Sequence, residues 1–247
     1  MKKLLALFVL AAAFVPAFAA TQTAVSFSSA AGLYNRGDYA SAVIAYQTLL
    51  RDSKNKDPYA FYNLANSYFK AGQTDQAIIN YYRAFRLLPR DGDIKHNLSF
   101  ALNATGQRLL PEGVPQAAFD AFYFFSLSEL GGTALICLWL FAIAFAVYTA
   151  GFKKKFLKKL FICLGILFII FGIWYGARCS QDSSSLAVVT VPRAEVRSGP
   201  GDNFPVSLSV PRAHLVTVND TKDNWTEIVL PAEKSEGWVL NTSIEEI

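Results

Sequence analysis

Three patterns of hydrophobic and polar residues divide the chain. Between residues 24 and 104 apolar side chains recur three and four positions apart, as at Phe61, Leu64, Ala65 and Tyr68, the spacing of one face of a helix. Two later runs carry no charge, over 22 positions at 131–152 and 18 at 160–177. About 20 apolar residues cross the hydrocarbon core of a bilayer as a helix, whereas a soluble core helix is usually shorter and polar along one stripe. From residue 186 short β-rich runs alternate with Gly, Pro, Asp and Asn breaks, which reads as several strands at close spacing. The pattern predicts a multi-domain membrane protein: an all-α array, a transmembrane helical hairpin and a small C-terminal all-β domain.

Polar punctuation orients this plan. Residues 1–19 open with Lys2 and Lys3, continue apolar from Leu4 and end in small residues around Ala17 and Ala19. This is the plan of a secretory signal peptide cleaved after Ala19; retained, it would be an anchor that leaves the next segment on the same side. Between the two apolar runs, at 153–159, stand Lys153, Lys154, Lys155, Lys158 and Lys159. Short loops rich in Lys and Arg stay in the cytoplasm. Signal and loop therefore agree on a cytoplasmic (inner) membrane protein with both soluble domains on the exported, periplasmic side.

Charge and cysteine content then change little. The formal charge is +4 and the pI about 8.9, but taking Lys2, Lys3 and the five loop lysines away leaves −3. The basic pI reports membrane orientation, and no basic surface for nucleic acid is expected. Cys137, Cys163 and Cys179 lie in or beside the apolar runs without CxxC or His spacing, so neither a disulfide framework nor a metal site is expected. Cys179 is read as apolar filler near a helix end or, outside the membrane, a thiol able to pair between molecules.

The helical region repeats itself. Gly37, Ala42, Tyr46 and Leu50 recur 35 positions on as Gly72, Ala77, Tyr81 and Phe85, and "YNLANSY" at 62–68 returns 34 positions on as "HNLSFAL". With Phe61, Leu64, Ala65, Tyr68, Gly72, Ala77, Tyr81, Ala84 and Pro89 in place, the second copy resembles the tetratricopeptide repeat, a pair of antiparallel helices. The first copy is weaker, with Ser26 and Ser29 where the motif prefers Trp and Leu, and the third stops after one helix. The expectation is two repeats plus a capping helix over 24–104. About three units are normally needed to bury a continuous core, so the array should lean on the membrane or a partner. The resemblance implies a peptide-binding groove along the first helix of each repeat, here Tyr34, Tyr59, Tyr62, Asn66, Phe69, Lys70 and His96. Aromatic and amide residues stand where the carboxylate-clamp subclass has cations, so capture of an acidic chaperone tail is not expected.

Residues 105–130 join array to membrane. "GQRLLPEGVPQ" breaks the helical pattern with two prolines and two glycines, and the aromatic-rich "FDAFYFFSLSEL" predicts an interfacial helix. Within the hairpin, Ala142, Ala146 and Ala150, and Gly172 and Gly176, repeat every four residues, a spacing that lets helices pack closely. No charge lies inside either run, which speaks against an intramembrane ionisable relay.

In 186–247 the motifs Val196-Arg197-Ser198-Gly199-Pro200, then Trp225, then Gly237-Trp238-Val239 resemble a bacterial SH3 domain, implying a small barrel. Gly199 and Gly201 are read as allowing a tight loop around Pro200, and Trp225 and Trp238 as adding apolar area to a small core, Trp238 above all. Such domains bind cell-wall peptides or proteins, which implies a ligand surface of Arg197, Asp202, Asn203, Phe204 and Trp225. The alternative for Arg197 is that it only braces the loop.

No catalytic set is visible: no HExxH, phosphate loop or GxSxG, no exported cysteine within either soluble domain, and His96 and His214 each alone. A non-enzymatic chain without cofactor or metal is expected. The domain order resembles the BatE family of bacterial aerotolerance (Bat) operons. That resemblance implies protein partners among von Willebrand A-domain membrane proteins and a MoxR-type AAA ATPase, with a part in envelope stress or complex assembly. Two functions follow: a membrane-anchored scaffold whose exported modules hold protein partners, or a cell-wall-binding sensor whose SH3 domain grips peptidoglycan. Reporter fusions after Thr105 and Ser184 should read as exported and one after Lys155 as cytoplasmic. Replacing the five loop lysines by Gln should loosen that orientation; a cytoplasmic reading at either end would overturn it.

Overall fold

The computed structural model describes residues 27–52, 56–151, 155–183, 186–230 and 235–247. The signal peptide, residues 24–26, Lys153 and Lys154 lie outside them. Five helices form the N-terminal array: α1 (27–35), α2 (Tyr39–Asp52), α3 (Pro58–Lys70), α4 (Thr74–Leu87) and α5 (Gly92–Ala104). They make two helix pairs followed by a single helix.

Local chemistry sets the boundaries. Pro58 occupies the first turn of α3, where its missing N–H costs nothing, and the Asp57 carboxylate accepts from the Tyr59 amide at 2.9 Å. Asp91 caps α5 likewise, accepting from Asp93 and Ile94. Gly37, Gly72 and Gly106 end the first helix of each unit with φ near +80° (81°, 78° and 76°), which glycine adopts without the Cβ penalty. After each, the next amide reaches back five residues: Asp38 to Leu33, Gln73 to Tyr68 and Gln107 to Leu102. Gly106, at the start of the expected linker, has the conformation of the repeat glycine for a third time. Alanines at the helix crossings, Ala30, Ala42, Ala60, Ala65, Ala77, Ala84 and Ala101, are wholly buried.

A short helix, α6 (Gln116–Phe122), follows the linker and turns into two long helices, α7 (Leu127–Thr149) and α8 (Lys155–Ser183). Only Phe119 of α6 is buried, stacked on Phe85 of α4 at 6.4 Å. Ser126 and Glu129 form a reciprocal capping box at the start of α7. Both long helices are long and apolar enough to cross a membrane, with mean hydropathies of 2.3 and 2.4 over an 18-residue stretch of each. Lys155, Lys158 and Lys159 stand exposed in the first turns of α8, so part of the expected loop is helix.

The two helices pack together, but not through the expected small residues. Ala142, Ala146 and Ala150 face outward, and a Cβ on Gly172 or Gly176 would meet nothing within 4 Å. The contact stripe of α7 is Leu130, Ala134, Cys137 and Ala144. The close approaches are at Gly131, where a Cβ would lie 3.2 Å from the Tyr175 ring, and at Gly165, 3.4 Å from the Phe141 ring. Rings laid on glycines replace glycine-on-glycine packing, because large side chains outnumber small ones in both helices.

The C-terminal domain has seven strands: β1 (Leu186–Val189), β2 (Arg193–Arg197), β3 (Val206–Pro211), β4 (Leu215–Lys222), β5 (Trp225–Leu230), β6 (Ser235–Leu240) and β7 (Ile244–Glu246). The sheet is antiparallel in the order β3-β2-β6-β5-β4-β1-β7. It does not close, since β3 and β7 remain edges. Its core is aliphatic, from Val189, Val196, Val210, Val216, Ile228, Leu230 and Val239. Trp225 and Trp238, expected in this core, lie elsewhere. Along β5 the core side is Thr226, Ile228 and Leu230, so Trp225 belongs to the opposite face. Trp225 is nonetheless buried, and Trp238 only half-buried.

The sheet is not an independent module. Val188 and Ala213 are buried in the same cluster as Ile78, Ile79, Phe85 and Leu98 of the array, with Leu215 and Ile247 packed on it. Polar ties surround this shared core. Arg212 donates to buried Asp75 at 3.0 Å, Gln76 and Arg83 donate to Glu245 at 2.7 and 3.2 Å, and Arg86 donates to the Ile247 carbonyl at 2.9 Å. Beyond Gly106, Gln107 donates to the Ala213 carbonyl at 3.0 Å and accepts from the Leu215 amide at 2.7 Å. Partly exposed pairs such as Arg83–Glu245 are worth only about 0–1 kcal/mol. Fully burying a Val, Leu or Ile side chain is worth about 1.5–3 kcal/mol, so the apolar contact holds the parts together and the polar ties fix its register.

Array and sheet of the full chain should therefore melt in one transition. Arg212→Ala should lower its stability by about 1–3 kcal/mol, because the Asp75 carboxylate stays buried without its partner. Ala77→Trp, which overpacks a wholly buried crossing, should cost about 1–3 kcal/mol or more. Calorimetry checks both, and separate melting of a helical and a β component would refute the shared core.

Candidate functional site: the groove of the helical array

The inner face of the array is built by α1, α3 and α5. Positions 59, 62, 66 and 69 of α3 lie three and four apart and line one face. At its centre the polar atoms satisfy one another. The Tyr81 hydroxyl donates to the Asn66 side-chain oxygen at 2.6 Å, and Asn97 donates to that same oxygen at 3.0 Å and to the Tyr62 hydroxyl at 2.9 Å. The rings of Tyr62 and Tyr81 lie 6.0 Å apart, and Tyr34 meets Tyr39 edge-on at 5.4 Å. Phe69 meets Phe100 edge-on at 5.7 Å. Tyr59 is 50% exposed and Phe100 58%, and Lys70 is exposed at the end of α3.

Electrostatics follow from the packing. Burial raises the Tyr81 hydroxyl above the ordinary tyrosine value of 10.0; Tyr62 and Tyr34 raise it further and the bond to Asn97 opposes them. Burial raises Tyr34 too, then the charges of Tyr39 and Tyr62. These phenols are neutral donors at ordinary pH. The centre of the groove offers hydrogen bonds and ring faces without charge, which suits a peptide backbone more than an ionic tail.

The structure thus gathers Tyr34, Tyr59, Tyr62, Asn66, Phe69 and Lys70 along α1 and α3, but not His96. His96 lines a cavity of about 270 Å³ with Lys95, Leu109 and Phe119, because the linker and α6 pack where a further repeat would stand. Its neighbour Asn97, about 100° round the helix, takes the groove position. Tyr81, Asn97 and Phe100 were missed by sequence reasoning. Phe100 was within reach, since the offset of 34 aligns it with Asn66; Tyr81 belongs to a second helix, whose inward reach depends on packing.

On the sheet, Arg197 donates to the carbonyls of Asp202 and Phe204 at 3.1 and 2.9 Å and to Glu195 at 2.9 Å, with its guanidinium 5.9 Å from the centre of the Trp225 ring. It braces the 198–205 loop and roofs Trp225. Asp202, Asn203 and Phe204 are exposed on that loop. Gly199 and Gly201 do not have positive φ. Gly199 is needed for space instead, since a Cβ there would lie 2.6 Å from the Phe204 ring. Among the described residues no cluster of His, Cys, Asp and Glu could hold a metal, and the three cysteines are free.

The helix-turn-helix of α3 and α4, with its glycine turn and alanine crossing, coincides with a match to the family described as Tetratricopeptide repeat, over residues 59–87. Residues 59–87 form a tetratricopeptide repeat. No curated protein matches the chain. Among solved structures, the chain is similar to the Yersinia enterocolitica type III secretion chaperone SycD in complex with a peptide of the translocator YopD. The identity is 17% and the TM-score 0.33, over 65% of this chain and 97% of that one.

The raised phenol gives a pH test. A folded-state pKa above the unfolded value leaves stability intact below pH 10 and removes it as pH rises through and beyond 10. Each such tyrosine contributes a loss of up to about 1.4 kcal/mol per pH unit. Tyr81→Phe should cost about 0.5–1.5 kcal/mol at neutral pH and make the alkaline slope of full-chain stability shallower by up to one proton. An unchanged slope in denaturant titrations would show that Tyr81 does not ionise on unfolding.

Proposed function

We propose that this chain is a membrane-anchored protein–protein interaction scaffold of the bacterial envelope. Its groove takes a segment of a partner protein. The observation that carries this is the tetratricopeptide groove itself, with a neutral tyrosine–amide centre flanked by half-exposed Tyr59 and Phe100. Rigid aromatic area next to satisfied amides is the composition of a peptide-binding hot spot.

Membrane anchoring through α7 and α8 is supported by their length and hydropathy and by large apolar side chains on their outer surfaces, Trp139 68% and Ile173 70% exposed. An even number of spans also fits the direct contact between array and sheet, because a hairpin returns the chain to the side it left. The lysines between the spans and the N-terminal signal pattern favour the exported side for both. The resemblance to the BatE family makes von Willebrand A-domain membrane proteins the partners to test first.

The second reading, a wall-binding sensor, draws on the exposed Phe204 and Val206 at the sheet's loop, 41% and 45% accessible. Arg197 is occupied with loop carbonyls, so a peptidoglycan peptide would meet Phe204, Asp202 and Asn203. Crosslinking of the full chain in intact membranes separates the readings. Tyr59→Ala with Phe100→Ala should weaken partner capture about 30-fold, a hot-spot loss of about 2 kcal/mol, with melting unchanged because both rings are half-exposed. If the partners persist in that variant and are lost with Phe204→Ala, the binding surface is on the sheet.

A further inference from the structure

A second concave site lies where the array meets the first residues of α7. It is a cavity of about 780 Å³ between the ends of α2 and α4 and the turn at Ser126, Leu127 and Ser128. Four cations line it, Arg51, Lys56, Arg83 and Arg86. Arg83 is matched by Glu245. Arg51 and Arg86 stand in the last turns of their helices, where each offsets a partial negative charge of about one half. Arg86 also donates to the Ile247 carbonyl, and Arg51 and Lys56 add two positive charges to a cavity whose other walls include apolar Leu50, Phe61 and Leu127. This mix does not serve the groove, which is neutral and built by other helices. It also sits at a particular depth, since α7 carries no charge beyond Glu129. Nearby, Arg90 pairs with Glu129 at 2.6 Å and lies over the Phe124 ring at 5.3 Å, so polar and aromatic groups share this level as they do at a headgroup layer.

We propose that this cavity, with Arg51 and Lys56 at the mouth of α7, binds the phosphate of an anionic phospholipid whose acyl chains run down the outside of that helix. The inference rests on the membrane reading above. A phosphate diester takes charge-assisted hydrogen bonds from Arg and Lys, and the apolar walls beside them suit the glycerol and upper acyl carbons. The same phosphate chemistry occurs in soluble phosphate esters. The apolar walls and the position at the start of α7 select the lipid.

The test uses the full chain in nanodiscs of equal parts phosphatidylglycerol and phosphatidylcholine, with retained lipid counted by native mass spectrometry. The wild type should keep phosphatidylglycerol in preference to phosphatidylcholine. Arg51→Gln with Lys56→Gln should weaken that preference about 30-fold, the effect of two cations near a lipid phosphate. Arg83 and Arg86 are left in place because they hold the sheet. Arg193→Gln with Lys222→Gln, which removes the same charge from exposed sites on the sheet, should leave the preference intact, and free glycerol phosphate should not displace the lipid. Equal binding of the two lipids, equal loss in the sheet variant, or displacement by glycerol phosphate would each overturn the lipid site while leaving the scaffold reading standing. A chain that does not enter the nanodisc would overturn the membrane reading, and the lipid site with it.

Discussion

The structure depends on helix α4 being covered on two sides. A two-repeat array has little core to spare, and its last complete pair would leave one face of α4 in water. Instead Ala77, Ile78, Ile79, Asn80 and Tyr81 are buried in succession, which no single packing stripe allows. The other helices of the array take one side and the sheet takes the other, through Val188, Ala213, Leu215 and Ile247. The sheet thereby adds apolar cover that two repeats and a single helix lack by themselves. Edge strand β7 lies against α4 through Glu245 and Ile247, which also shields one open edge of the sheet.

This arrangement decides how the groove can work. The packing that buries α4 brings the Tyr81 hydroxyl inward to Asn66, and α5 closes the network through Asn97. The centre of the groove is therefore rigid, and removing Asn66 would leave buried donors without an acceptor, a stability cost before any effect on binding. Adaptable contact area is left at Tyr59 and Phe100. Rigid centre and accessible flanks together are what a preorganised peptide site requires.

The junction between array and long helices is built from rings and arginines. Arg178 and Trp174 of α8 both donate to the Phe122 carbonyl at 3.2 Å, and the Arg178 guanidinium lies 4.3 Å from the centre of the Tyr123 ring. Phe119 ties α6 to α4 from above. The end of α8, the end of α6 and the array thus form one joint. Phe85 of α4, Phe119 of α6 and Tyr123 form a continuous ring cluster at this joint, with centroids 5.3 and 4.6 Å apart for the Phe85–Tyr123 and Phe119–Tyr123 pairs.

The sequence determined the helix pairs, their glycine turns, the two long apolar helices and the strands, because each is written in spacing that a residue reads from its near neighbours. It also placed Tyr59, Tyr62, Asn66 and Phe69 on one face of α3, since positions three and four apart share a face whatever lies beyond them. Tertiary structure decided what depends on distant segments. It placed His96 against the linker and α6, because these follow α5 in place of the second helix of a third repeat. It put the tryptophans outside an aliphatic core, because strand register and not ring size chooses the face. It fixed the helix contacts of the hairpin on rings over Gly131 and Gly165, because small residues mark a contact only where the partner's large ones arrive. Above all it joined array and sheet. A hint lay in the run from Ala77 to Tyr82, apolar but for Asn80 and too apolar for one stripe, but which segment would cover it could be settled only by bringing together residues more than one hundred positions apart.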